Sequence, residues 1–173
     1  MAIDKIQSES INLADNFAFT GTVTGAGGVN TPAFHATLSA IQQISDITTT
    51  KVQFNTESFD TDNAYDNSSN YRFTPQTVGK YFCYTSISGR SNGDSELTNL
   101  RTYIYKNGSE LIKSIGTDFR NNHGYQTLNY TGAVIDMNGS SDYIEFYARP
   151  DHNGGTNGGV DAGSYAGAYK IIE

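Results

Sequence analysis

A single cysteine, Cys83, rules out a disulfide within the chain, so the fold has to be held by its own core. It sits in the apolar run Tyr81-Phe82-Cys83-Tyr84, where a thiol is expected to be buried as a small hydrophobe. Among 173 residues there are only 3 prolines and no tryptophan. Charged residues are 17% of the chain, too few for a coiled coil or a charge-rich disordered tail. No run of Lys or Arg exists and the net charge is -7, which argues against a nucleic-acid partner. No stretch approaches the ~20 apolar residues that span a bilayer, and no membrane partner is expected. The opening residues Met1 to Ser10 have neither a basic start nor an apolar middle. They do not read as a secretory signal, so synthesis in a cytoplasm is expected.

What is present favours strands. Thr, Gly, Ser and Asn are the commonest residues, and the aromatics are 12 Tyr and 9 Phe. This is the composition of an all-β protein. Alternating runs recur at Phe34–Leu38, Lys51–Phe54, Tyr71–Phe73, Lys80–Ser88, Leu100–Lys106, Glu110–Ile115, Tyr125–Met137, Asp142–Arg149 and Tyr165–Ile172. Asn107-Gly108 and Asn138-Gly139 mark hairpin turns. Asn153-Gly-Gly-Thr-Asn-Gly-Gly159 reads as a low-complexity loop, and Ile41, Ile44 and Ile47 show helical spacing too briefly to form a helix. Such strands with regular turns predict a β-sandwich or jelly roll.

The chain divides into residues 1–30 and a head, residues 31–173. In the first part Phe17, Phe19 and Val23 share one face at period two, followed by the glycine-rich joint Gly25-Ala-Gly-Gly28. Fully extended, such an arm reaches about 90 Å. A docking arm is the favoured reading; a frayed end or a first strand of the head is the other.

Little catalytic chemistry is legible. The histidines are His35, on the outward face of its strand, and His123 and His152, in Gly/Asn-rich loops. No Gly-x-Ser-x-Gly elbow and no dinucleotide-binding glycine spacing occurs, so no enzyme is expected. The loop from Glu57 to Asp66 clusters oxygen donors, with Asp60, Asp62 and Asp66 as possible calcium ligands, but it lacks the glycine and terminal Glu of an EF-hand. A solvated, turn-rich loop is preferred there and no cofactor is expected. In Asp142–Arg149, Ile144, Phe146 and Ala148 share one face, and Tyr143, Tyr147, Glu145 and Arg149 share the other. Tyrosine suits interfaces because its ring buries area while its hydroxyl keeps a partner. Tyr143 and Tyr147, with Tyr103, Tyr105, Tyr165 and Tyr169, are therefore candidates for a subunit interface, against the alternative of ordinary core or surface tyrosines.

Val52-Gln-Phe54-Asn55, Asn63-Ala-Tyr65-Asp66, Tyr71-Arg-Phe73-Thr-Pro75 and Val78-Gly79-Lys-Tyr81-Phe82 follow in order. Together they resemble the core strands of the globular head of the complement first component and its relatives in the tumour necrosis factor superfamily. Tyr103-Ile-Tyr-Lys106-Asn107-Gly108 is similar to that family's lysine-asparagine-glycine hairpin, and Tyr165-Ala-Gly167-Ala-Tyr169 to its closing strand. The resemblance covers about Ala33 to Glu173 and implies a jelly roll that assembles as a homotrimer. Thr74 stands where complement heads often carry cysteine, Val78 replaces a common proline, and no collagen stalk is present, so animal immunity is not implied.

The run Ile11 to Gly25 resembles the openings of structural proteins of tailed phages. The resulting expectation is a phage virion structural protein made in the host bacterial cytoplasm. Its trimeric head would be held on a major capsid or tail protein by the arm, as a capsid decoration or cement protein. The alternative is the receptor-binding tip of a tail fibre, recognising host surface glycan through Asn121, Asn122, Tyr125, Asn153 and Asn157.

Overall fold

A computed structural model describes residues 30–171 except 94, 117, 120 and 156. The arm with Phe17, Phe19 and Val23 lies outside the described residues. The described residues form two antiparallel sheets and no α-helix. The first sheet is built on the long strand β7 (Gly79–Ser91). β10 (Gln126–Met137) pairs along one edge of β7. The other edge takes β12 (Gly158–Val160) and β13 (Tyr165–Lys170) end to end. The sheet continues from β13 through β1 (Ala33–Thr37) to β4 (Thr56–Asp60), and from β12 to β2 (Gln42–Ile44). The second sheet runs β5 (Tyr65–Asp66), β6 (Arg72–Phe73), β11 (Ile144–His152), β8 (Leu97–Lys106), β9 (Ser109–Ile115), with β3 (Thr50–Lys51) also paired to β11.

Period-two alternation builds the core. On β7, Tyr81, Cys83, Thr85 and Ile87 are buried while Phe82, Tyr84 and Ser88 face outward and are only partly covered. From the second sheet Leu100, Ile104, Ile144, Phe146 and Ala148 point back at them. An aromatic cluster locks one end: Phe34 stacks on Tyr65 at 4.3 Å and on Phe73 at 4.9 Å, and Phe73 meets Tyr81 edge-on at 5.7 Å. Burial holds the Cys83 thiol in its neutral form, with its pKa pushed up to about 12. The hairpin expected at Asn107-Gly108 is there, with both residues in the left-handed region at φ 53 and 76.

The structure corrects three expectations. Lys51–Phe54 is not a full strand: only Thr50–Lys51 pairs, and Val52 and Phe54 anchor an irregular segment in the core. The glycine-rich segment before the last strand is not all loop, since Gly158–Val160 forms β12. His152 is not in a loop: it ends β11 with its side chain fully buried, Nε2 lying 3.2 Å from the Arg90 carbonyl.

On β10, Ile135 and Met137 join the core, but over residues 128–134 the larger apolar residues face water and two polar ones face in. Leu128, Tyr130 and Val134 are 66%, 51% and 55% exposed. Asn129 and Thr131 are buried in a polar seam between the sheets. Asn129 Nδ2 donates to Thr102 Oγ1 at 3.0 Å, Ser114 donates to Asn129 Oδ1 at 3.2 Å, and the Thr102 and Thr131 hydroxyls bond each other. Satisfied partners remove most of the cost of burying these groups.

Candidate functional site

The outward face of the first sheet carries the molecule's main aromatic surface. Register sets the rows. His35, Gly167, Tyr84 and Gly132 lie side by side across β1, β13, β7 and β10. The Tyr84 ring lies over Gly167, and its hydroxyl comes within 3.2 Å of His35 Nδ1. A Cβ on Gly167 would meet that hydroxyl at 2.4 Å, so only glycine allows this close approach. Phe82 lies 5.9 Å from Tyr84 and 5.7 Å from Tyr169, and His35 lies 5.2 Å from Tyr165 and 6.2 Å from Phe59. Leu128, Tyr130 and Val134 extend the surface onto β10. No Asp, Glu, Lys or Arg occupies these positions. Burial lowers the pKa of His35, and burial followed by the neighbouring phenols Tyr165, Tyr130 and Tyr169 raises that of Tyr84, so both groups are neutral near pH 7.

The second sheet's outward face carries a different tyrosine set. Tyr105 and Tyr147 rings lie 4.2 Å apart, with Tyr103 edge-on to Tyr105 at 6.2 Å. The Tyr147 hydroxyl donates to Glu145 at 3.1 Å, and Lys51 Nζ donates to the other oxygen of Glu145 at 2.6 Å. The Arg72 guanidinium sits 4.6 Å from the centre of the Tyr143 ring. Burial, then the Glu145 carboxylate, raises the Tyr147 pKa.

The six tyrosines singled out from sequence thus divide. Tyr165 and Tyr169 join the aromatic face of the first sheet, whereas Tyr103, Tyr105, Tyr143 and Tyr147 lie on the opposite side of the sandwich. Sequence reasoning missed His35, Phe59, Phe82, Tyr84 and Tyr130 as members of the first face. Its one available signal was the Leu128, Tyr130, Val134 alternation, which marks a face without saying that it points away from the core.

The structure does not gather the loop residues into one place. Asn121 and Asn122 line an open cleft of about 590 Å3 with Asp118 and Phe119. Tyr125 lies under the Arg90 guanidinium, 5.1 Å from it, and bonds it through its hydroxyl. Asn153 donates its backbone N–H to Glu96, and Asn157 Oδ1 accepts from the Asp46 N–H at 3.3 Å.

In the loop with the acidic residues, the carboxylates clamp backbone. Asp60 accepts from the Ala64 and Tyr65 N–H groups at 3.1 and 2.8 Å. Asp66 accepts from Ser68, Ser69 and Asn70 at 3.0, 2.9 and 3.1 Å. These bonds hold the Asp66 carboxyl well below the usual carboxylate range. The Asp62 N–H itself points at Asp60 Oδ1, 3.4 Å away. Among the described residues no three His, Cys, Asp or Glu side chains are placed to share a metal ion.

Two antiparallel sheets with this order define the class: a tumour necrosis factor-like jelly roll. Its solved likenesses include murine APRIL in a crystal at pH 5.0, with TM-score 0.56, 14% identity, and 80% of this chain matched to 98% of that one. They also include Eiger TNF from S. frugiperda, with TM-score 0.57, 10% identity, and 80% of this chain matched to 91% of that one. No protein-family model matches the chain. No curated protein matches it by sequence.

Proposed function

We propose that the chain is a homotrimeric jelly-roll head in which the aromatic face of the first sheet packs around the threefold axis. The observation that carries this reading is the contiguous, uncharged surface of Phe82, Tyr84, Leu128, Tyr130, Val134, Tyr165 and Tyr169. Apolar patches of this kind mark protein interfaces in soluble proteins, and TNF-like folds form homotrimers. The role is structural rather than enzymatic: a phage virion protein, most simply a capsid decoration protein. Residues 1–30 fasten each subunit to a neighbouring coat or tail protein by strand addition and burial of Phe17 and Phe19. Three arms on one trimer turn weak contacts into tight attachment. Support for the phage setting comes from the resemblance of Ile11 to Gly25 to phage structural proteins.

The test is removal of residues 1–28. The truncated chain is expected to stay a soluble trimer and to be lost from particles assembled in its presence. Incorporation at the level of the full chain would remove the arm from the account. The second reading, a receptor-binding head for surface glycan, is favoured by the open cleft at Asn121 and Asn122.

A further inference from the structure

On the outward face of the second sheet, two adjacent cross-strand pairs are made only of polar side chains: Arg149 opposite Arg101, and Asp151 opposite Asn99. Asp151 lies between the arginines, 3.2 Å from Arg149 Nε and 3.5 Å from Arg101 Nη2. The Arg149 approach is close enough for an ion pair but is not aligned as a hydrogen bond. Among the described residues, five buried side-chain polar atoms lack a hydrogen-bond partner. Four of them belong to this quartet: Asn99 Oδ1, Arg101 Nε, Arg149 Nε and Asp151 Oδ1. Asn99 itself is only 8% exposed. Arg149 Nε and Asp151 Oδ1 face each other as an ion pair, which leaves Asn99 Oδ1 and Arg101 Nε; buried polar groups are normally paired, so these two call for a partner. A cleft of about 360 Å3 opens there, lined by Thr98, Asn99, Arg101, Ile115, Asp118 and Asp151. That is within the ~300–1,000 Å3 range of small-molecule sites.

The inventory of the orphans selects the ligand class. One is an acceptor, Asn99 Oδ1, and one is a donor, the Arg101 Nε–H. A metal cation would satisfy only the acceptor. A phosphate or carboxylate would satisfy only the donor and would be set against the Asp118 and Asp151 carboxylates that line the cleft. Vicinal hydroxyls both donate and accept. Ile115, more than half exposed at the cleft, offers an apolar surface for the C–H face of a sugar ring. We propose that the cleft lined by Asn99, Arg101 and Asp151 is a binding site for an uncharged saccharide, read through adjacent ring hydroxyls. The ligand reaches the Arg101 Nε–H when that guanidinium turns, a rotamer change common at binding sites. The cleft lies on the side of the sandwich away from the proposed trimer face, so it stays open in the assembly. The inference extends the glycan reading to different residues and stands apart from the trimer.

The experiment is protein-observed NMR on the full chain, titrated with methyl glycosides of glucose, galactose, mannose and N-acetylglucosamine, with methyl glucuronide and inorganic phosphate as charged comparisons. At least one neutral glycoside is expected to shift the Asn99 side-chain amide, the Arg101 Nε–H signal and the Ile115 methyls, and to saturate. Asp151→Asn and Arg101→Lys, the latter keeping the charge without the guanidinium, should each weaken that binding at least about tenfold, as loss of a charge-assisted hydrogen bond does. Thermal unfolding of each variant shows whether it folds; where one does not, the wild-type shifts decide. No shift with any neutral glycoside, shifts confined to Asn121 and Asn122, or binding of glucuronide or phosphate alone would each overturn the assignment. The chain's mass in solution, measured alongside, reports on the trimer separately.

Discussion

The two outward faces of the sandwich use tyrosine in opposite ways. On the second sheet two tyrosines have charged company: Glu145, itself paired with Lys51, holds Tyr147, and Arg72 covers Tyr143. That face is complete within one subunit, apart from its polar cleft. On the first sheet Tyr130, Val134 and Leu128 stand more than half exposed among rings and glycines, with charges only toward its margins, such as Lys80–Asp136 and Arg90–Asp161. The contrast separates tyrosines that decorate a finished surface from those that leave one unfinished. A residue type common to interfaces is informative only with its neighbours.

The largest effect is expected from a charge placed in the unfinished face. Tyr130→Asp should weaken self-association at least about 100-fold, because an unpaired charge would be buried at the contact. Sedimentation velocity checks it, and the same technique should find Tyr147→Asp, on the other face, still assembled. An undiminished trimer for Tyr130→Asp would erase the distinction between the faces. Next comes Gly167→Val. Its Cβ would meet Tyr84 Oη at 2.4 Å and the Phe34 carbonyl at 2.8 Å. Overpacking of this kind should cost about 1–3 kcal/mol in chemical denaturation and break the Tyr84–His35 contact. Tyr147→Phe, which removes only the hydroxyl bond to Glu145, should cost about 1 kcal/mol and leave assembly unchanged.

The smallest effect is a pH dependence confined to the first face. Burial places the folded pKa of His35 below its ordinary value of 6.5. The unfolded chain therefore binds this proton more readily than the folded one. The contribution is intact above about pH 6.5 and is lost as pH falls toward the folded pKa. Tyr84, whose hydroxyl lies against the ring, has its pKa raised by burial and is uncharged throughout that window. His35→Gln should flatten this part of the stability profile between pH 7 and 5, measured by thermal unfolding. An unchanged slope would mean that His35 is not responsible.

Most of the fold was legible because its signals are local. Alternation located β7, β8, β9, β10, β11 and β13 to within a few residues, and Asn107-Gly108 placed the hairpin because few other residue pairs take two left-handed positions in succession. β12 was hidden because its glycines are there for space: a Cβ on Gly158 would strike the His152 ring and the Arg90 carbonyl. Propensity scores such residues as loop, whereas the packing partner is distant in sequence. The acidic loop was read as an array of oxygen donors, and its composition was right. What could not be read was that Asp60 and Asp66 spend those oxygens on the loop's own amides. The six tyrosines grouped from sequence fall on two sides of the sandwich for a related reason. Period two tells which residues share a side of one strand, but the pairing of β13 with β7 and of β11 with β8 decides which sheet that side belongs to.

Light scattering on a sizing column gives the mass of the full chain in dilute solution, and with it the number of subunits. One subunit is 18.8 kDa. A single species of three times that mass is expected, reduced to one subunit by Tyr130→Asp. A wild-type chain that stays at 18.8 kDa at micromolar concentration would contradict it.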